Sequence, residues 1–376
     1  MTHPAPADPP PPAAVAQRQF PCRECGANLT FAPGTRSLSC PYCGAANEIA
    51  ASAEAVEELD LNAYFRDCCG EADMEERVTV RCTTCGAETT LAPNITADRC
   101  PFCGSAIVAH GSSHKLIKPK SLLPFGVTRQ QATESFRSWI AGLWFAPNEL
   151  QKRAEAAQIT GVYIPSWTYD ARTTSDYTGE RGDDYWDTET YTTMENGRSV
   201  RRTRQVRKTR WWPASGRVDH PFDDVLVLAS RSLPPGYAEA LEPWDLHALV
   251  PYRDEFLSGF VAESYQVALP EGFEQAKQVM AGPIRQAIAR DIGGDHQRIH
   301  SVDTRYFDVT FKHCLLPVWI SAYRFGERTF RFLVNARTGE VQGERPYSAA
   351  KIALAVLAGL IVLLIVLLIA NGGGIR

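Results

Sequence analysis

CRECGANLTFAPGTRSLSCPYCGAA (22–46) and CTTCGAETTLAPNITADRCPFCGSA (82–106) carry one cysteine pattern twice, offset by sixty residues. The first quartet is Cys22, Cys25, Cys40 and Cys43; the second is Cys82, Cys85, Cys100 and Cys103. In both, two Cys-x-x-Cys pairs are separated by fourteen residues, and Cys-Gly-Ala, Ala-Pro and Cys-Pro-aromatic-Cys-Gly recur at equivalent positions. Such a repeat reads as an internal duplication of one module. Four thiolates at this spacing suit one tetrahedral zinc per quartet. A glycine follows every pair (Gly26, Gly44, Gly86, Gly104), where a tight turn aims backbone N–H groups at sulfur.

Disulfides and a redox Cys-x-x-Cys are the rival readings. Redox motifs come singly beside a βαβ pattern, which this chain lacks. A module of this size with few large apolar side chains buries too little surface to fold alone, whereas structural zinc contributes about 10–16 kcal/mol. With every position taken by cysteine, no coordination site is left for water, so the two ions are expected to be structural.

At the other end, Ile352 to Ala370 (IALAVLAGLIVLLIVLLIA) has no charge, amide or proline over nineteen residues. At about 1.5 Å per residue this matches the hydrocarbon thickness of a bilayer, and predicts a transmembrane helix over 352–370. Tyr347, Arg345 and Lys351 stand just before it, where an interfacial aromatic and cytoplasmic cations belong. Eight ligand thiols persist in a reducing compartment, and residues 1–20 lack the basic and apolar regions of a signal sequence. The expectation is a single-pass, tail-anchored protein of the bacterial inner (cytoplasmic) membrane with its N-terminal bulk in the cytoplasm.

Between these ends the pattern is α+β. A disordered Pro/Ala-rich tail (1–19) precedes zinc ribbon 1 (20–49), a linker (50–79), zinc ribbon 2 (80–110) and an α+β domain (115–346). Thr128 and Gln131 form a capping box ahead of Ala132, Phe136, Trp139, Ile140 and Leu143 on one helical face. Its aromatic stripe reads as core. A second helical pattern runs from about Phe273 to Asp291. GVYIPSWTY (161–169) and LLPVWISAY (315–323) are two strands sharing an apolar-Pro-x-Trp core, each preceded by a helix, as in a degenerate duplication. Gly326-Glu327 and Asn196-Gly197 predict two-residue hairpin turns. Cys68 and Cys69 read as spare thiols and Cys314 as a core residue.

Function classes narrow by exclusion. A net charge of −4 and a charged fraction of 22% predict no general affinity for polyanions. The strand from Arg198 through Arg201, Arg202, Arg204, Arg207 and Lys208 to Arg210 suits phosphate or anionic headgroups, but Glu180, Asp183, Asp184, Asp187 and Glu189 on the partner strand can neutralise it. No Gly-Lys dipeptide, Gly-x-Ser-x-Gly or His-Glu-x-x-His occurs, so no catalytic residues are assigned. His296 and His300 make a weak metal pair, and Asp183-Asp184 and Asp223-Asp224 read as surface or turn residues whose side chains point apart.

The order of twin ribbon, KLIKPKSLLPFGVTRQQA, WFAPNEL, GVYIPSWTYDA, TGERGDDYW, TRWWPASGRV, FDDVLVLAS, LLPVWISAYRF and FRFLVNARTGEVQGERP before a terminal helix resembles a bacterial family. Its members are membrane-anchored TFIIB-type zinc-ribbon proteins, often labelled primosomal protein N′ (replication factor Y) helicase-like. The helicase label does not carry over, because the motor's nucleotide-binding lysine has no counterpart here. The resemblance implies a non-enzymatic scaffold or adaptor in envelope stress, with the bilayer and phage-shock protein A-like or flotillin-like proteins as partners. The alternative is a nucleic-acid-binding zinc-ribbon protein associated with replication.

Overall fold

The computed structural model describes residues 20–50, 56–66, 74–90, 97–108, 112–147, 159–195, 198–233, 236–237, 239–325, 328–344 and 347–372. The tail 1–19, Cys68, Cys69 and the turn pairs 196–197 and 326–327 lie outside them.

Segments rich in Val, Ile, Tyr, Trp and Thr build a nine-stranded sheet. Its strands are β1 (Leu59–Asp60), β2 (Ser121–Leu122), β3 (Thr160–Glu195), β4 (Arg198–Leu228), β5 (Val250–Pro251), β6 (Val261–Ala262), β7 (His296–Phe325), β8 (Arg328–Asn335) and β9 (Val341–Gly343). The central path is β4-β3-β7-β2-β5, with β6 on β3, β1 and β8 on β7, and β9 on β8. The β3/β4 register runs to Glu195↔Arg198 and the β7/β8 register to Phe325↔Arg328.

The two apolar-Pro-x-Trp segments lie side by side, antiparallel, with Tyr163 opposite Pro317, Ile164 opposite Leu316 and Pro165 opposite Leu315. The pairing is symmetric about Ile164/Leu316, and the surroundings follow the symmetry. On β3, parallel β6 pairs with Val162 and Tyr163 and antiparallel β4 starts at Ser166. On β7, parallel β2 pairs with Cys314 and Leu315 and antiparallel β8 starts at Val318. Each proline therefore sits where one neighbouring strand gives way to the next, which is how a sheet interior tolerates a residue with no N–H. Its carbonyl is used: Pro165 O accepts from Ala229 N and Pro317 O from Ala336 N, at 2.9 and 3.1 Å.

Helices cover the sheet. α1 (Leu61–Arg66), α2 (Arg129–Ala141) and α3 (Leu269–Ile292) precede α4 (Ala349–Gly372). The capping box of α2 is formed, with Thr128 Oγ1 accepting from Gln131 N and the Gln131 side chain accepting from Thr128 N. Ala132, Phe136 and Ile140 are buried, and Phe136 stacks on Phe332. α3 lays Ala276, Met280, Ile284, Ile288 and Ile292 along Trp167, Tyr169, Ala171 and Tyr177. Residues 56–66, within the stretch read as a linker, pack on the sheet through β1 and through Leu61 and Tyr64.

Alternation along β3 assigns the two cysteine modules to opposite faces. Tyr163 belongs to the core shared with Cys22, Leu29, Phe31, Leu38 and Cys40 of the first module. Val162 and Ile164 belong to the core shared with Val80, Cys82, Ala87, Cys100 and Phe102 of the second. Because successive side chains of a strand point to opposite sides, the modules grip the sheet from both sides. α4 packs on none of these cores: it is long and apolar enough to cross a membrane, and its apolar window Ala349–Leu367 is 0% buried.

Candidate metal centres

Each cysteine pair is held by the same small hydrogen-bonded turn. The N–H groups of Gly26, Gly44, Gly86 and Gly104 donate to the carbonyls of Cys22, Cys40, Cys82 and Cys100 at 2.8–3.0 Å. The cysteine N–H groups answer, bonding to Ala27, Ala45, Ala87 and Ser105 carbonyls. All four glycines have φ between +71° and +77°, the left-handed region. An added Cβ at Gly26, Gly44 or Gly104 would meet nothing within 4 Å, so it is the dihedral and not the space that calls for glycine.

These turns bring the sulfurs together in pairs of pairs. Cys22 and Cys43 are 3.6 Å apart and Cys25 and Cys40 3.5 Å; Cys82–Cys103 and Cys85–Cys100 are both 3.6 Å. Within each quartet all four Sγ atoms lie within 4.8 Å of one another. A tetrahedral ion with metal–sulfur bonds of about 2.3 Å has sulfur–sulfur edges of about 3.8 Å. The separations fit that figure and lie far from a disulfide's length of about 2.05 Å. All eight cysteines are free thiols, so both quartets could hold a metal ion.

The electrostatics point the same way. Backbone N–H groups of Cys43 and Tyr42 aimed at Cys40 bring its thiol down to about 6. The Ala45 N–H favours the Cys43 thiolate, but the Cys40 and Cys25 sulfurs outweigh it and push Cys43 up to about 12. In the second quartet the Cys100 thiol, hydrogen-bonded to Cys85, brings Cys85 down to about 5, and Cys85 in turn pushes Cys100 up. Cys40 and Cys85 thus ionise readily, while Cys43 and Cys100 are held protonated. A divalent cation at the centre is what allows all four to ionise.

The modules attach to the sheet differently. In the first, Phe31 N donates to Ser258 O at 2.9 Å, Ser258 Oγ to Leu29 O at 2.6 Å and Gly34 N to Phe125 O at 2.8 Å. In the second, Ser264 N donates to Glu88 O at 3.0 Å and Gln266 Nε2 to Gly86 O at 3.3 Å. The aromatic between the last two cysteines has opposite fates: Phe102 is fully buried against the sheet, whereas Tyr42 is 83% exposed. Cys25 and Cys43 are exposed as well, so the first centre faces solvent.

A third group of possible ligands was missed from sequence. Asp170, Asp223 and Asp224 come within 4.8 Å of one another. Asp223-Asp224 was expected to point apart as in a strand; instead Asp224 takes φ +52°, and a bulge between Tyr169 and Ala171 lets its N–H reach Asp170 Oδ1 at 2.6 Å. Lys312, 6% exposed, places its ammonium 2.6 Å from Asp224 and 3.0 Å from Glu58. Burial works to lower the Lys312 pKa, but Asp224 and Glu58 outweigh it and the net shift is upward. Burial pushes the Asp170 carboxyl up. The ammonium already supplies the cation this cluster needs. No motif marks it, because its members are dispersed along the chain.

The other candidates resolve into ordinary contacts. His296 Nε2 lies 3.1 Å from Asp184 and His300 Nε2 3.8 Å from Glu180, so the two rings face different carboxylates. On the basic strand Arg207 pairs with Asp184, Arg204 with Glu189 at 3.2 Å and Lys208 with Asp187 at 2.7 Å. Arg204 and Arg210 also lie over the Tyr191 and Tyr185 rings. Cys314 is fully buried, and burial pushes its thiol up to about 12.

The chain is similar to the uncharacterized protein YdjG of Bacillus subtilis (strain 168), with 27% identity over 348 residues that cover 89% of this chain and 92% of that protein. No protein-family model matches the sequence, and no solved structure matches it.

Proposed function

We propose that the chain is a non-enzymatic, tail-anchored scaffold of the bacterial inner membrane, with two structural zinc ions and its folded bulk in the cytoplasm. In this reading it is a membrane-anchored TFIIB-type zinc-ribbon protein. The observation that carries the reading is the combination of two closed four-cysteine clusters, built into opposite faces of one sheet, with an apolar helix that packs on neither. Four thiolates at a tetrahedral spacing favour zinc and leave no position for a reacting water. Reduced thiols favour the cytoplasmic side.

A scaffold needs a rigid surface presented to a partner. The first quartet offers one, since Tyr42 stands exposed on its rim beside Cys25 and Cys43. Exposed aromatics of this kind are common anchors in protein interfaces. Phage-shock protein A-like or flotillin-like proteins are the partners this reading names. Nucleic acid is a weaker fit, because Arg204, Arg207 and Lys208 already spend their charge on cross-strand carboxylates.

The test is metal analysis of the purified full chain together with in-cell crosslinking and purification from detergent-solubilised membranes. The expected result is two zinc ions per chain and a stoichiometric protein partner. Zinc far below that level, or no protein partner, would remove the reading.

A further inference from the structure

We propose that the loop Leu143–Ala146 after α2 is a second membrane contact, in which Trp144 and Phe145 sit in the lipid headgroup layer beside the entry of α4. The inference rests on the reading that α4 crosses the membrane.

The loop is tied to the first turn of that helix. Ser348 N donates to Phe145 O at 2.8 Å, and Lys351 Nζ donates to Ala146 O at 2.8 Å. Because the apolar window begins at Ala349, these bonds hold the loop within about one helical turn, roughly 5 Å, of the point where the chain leaves water. The loop is stiff on its other side. Leu143 N donates to Ile140 O, Trp144 N to Gly142 O and Ala146 N to Leu143 O, while Ala146 is buried in the core containing Phe136 and Trp319.

What this tight turn presents is aromatic. Trp144 is 85% exposed and Phe145 41%, with Tyr347 at 60% on the adjoining segment. An indole left almost wholly in water at the foot of an apolar helix has an obvious occupant for its surroundings, because Trp and Tyr concentrate at the membrane–water boundary, where an apolar ring meets lipid and its polar edge stays hydrated. Lys351, one turn further on, points its ammonium back to the loop and not into the apolar stretch. Two contacts fix a direction where one would only tether. α2 packs on β8, at the Thr160/Ile320 end of the sheet, whereas the Arg198 end of the β3/β4 hairpin lies at the other end of the 36-residue β3. The proposed contact therefore turns the basic strand away from the bilayer and takes anionic lipid off the list of its partners.

The experiment uses the full chain in phosphatidylcholine vesicles and reads quenching of tryptophan fluorescence by lipids brominated near the top of the acyl chain. Trp144→Phe should lower the quenched fraction by about twofold or more, while Trp186→Phe, which removes a tryptophan 69% exposed on the hairpin, should not lower it. Equal quenching in Trp144→Phe and the unaltered chain, with both resisting carbonate extraction, overturns the loop contact and leaves the anchor standing. Release of the unaltered chain by carbonate overturns the anchor, and the loop contact with it.

Discussion

Trp167 and Trp319 stand on adjacent strands and make the same hydrogen bond: each indole N–H donates to the carbonyl of the residue two places before a helix, Val267 at 2.9 Å and Val127 at 2.8 Å. The helices are exchanged, since Trp167 on β3 holds α3 and Trp319 on β7 holds α2. The backbone repeats the relation, with Val267 N donating to Ala229 O and Val127 N to Ala336 O. Local structure and tertiary packing are joined at these two side chains, because each fixes where a helix begins relative to the sheet.

Loss of either indole should therefore be costly. Trp167→Phe and Trp319→Phe each leave a carbonyl without its donor, worth about 1–3 kcal/mol before the lost volume is counted. Urea denaturation should show similar losses for the two variants, each larger than that of Trp186→Phe, whose ring is exposed.

The two centres should answer differently to loss of their aromatic. Phe102→Ala empties a fully buried site in the core under β3 and should destabilise by about 3–5 kcal/mol. Tyr42→Ala at the equivalent position should change stability by no more than about 0.5 kcal/mol. Thermal denaturation of the metal-loaded chain measures both, and if the proposed scaffold role holds, a crosslinking assay should show Tyr42→Ala weakening capture of a protein partner.

Metal content should follow the quartets. Cys40→Ser and Cys100→Ser should each remove one metal equivalent and the double variant both, read by elemental analysis. Acidification should release the ions, because protons compete for sulfur.

Glu263 gives a pH dependence of definite sign. Burial, against the pull of the Ser232 and Ser230 hydroxyls, pushes its carboxyl up to about 8. The folded chain then keeps a proton that the unfolded chain, with a carboxyl near about 4.3, releases, so stability falls as pH rises between about 4.3 and about 8. Glu263→Gln keeps an oxygen for Ser232 and has no proton to lose. Its melting temperature should fall less than that of the parent between about pH 6 and about pH 8.5.

Lys312→Met should leave Asp170, Asp224 and Glu58 without their shared ammonium. At neutral pH the expected cost is about 3–5 kcal/mol, and it should shrink as the carboxylates protonate in acid. Equilibrium unfolding at two pH values checks both statements.

Much of this was readable from residues alone, for a physical reason in each case. The cysteine turns are local: a pair, a glycine and a short hairpin define their geometry without the rest of the chain. The α2 cap at Thr128 and Gln131, the helical stripe from Ala132 to Ile140 and the closing of β3 on β4 are likewise set by neighbours in sequence. What was hidden is what distant segments do to one another. The apolar-Pro-x-Trp likeness hinted at a relation between β3 and β7, but their direct pairing and the exchanged helices depend on contacts between residues 100 or more apart in the chain. The Asp170–Asp224–Lys312 cluster needed a bulge and a left-handed aspartate, neither of which leaves a pattern in the amino-acid order.

Beyond Gly182, the last residue of β3 to pair with β7, the β3/β4 hairpin runs on alone, so its edges from Asp183 to Glu195 and from Arg198 to Arg210 lack sheet neighbours among the described residues. A naked strand edge is an invitation to polymerise, and lining it with charged side chains is a usual safeguard. The paired charges on this ribbon would then matter even if they never touched a ligand: joining a second copy edge to edge would strip water from these arginines and carboxylates, and that cost keeps one molecule from zipping onto the next.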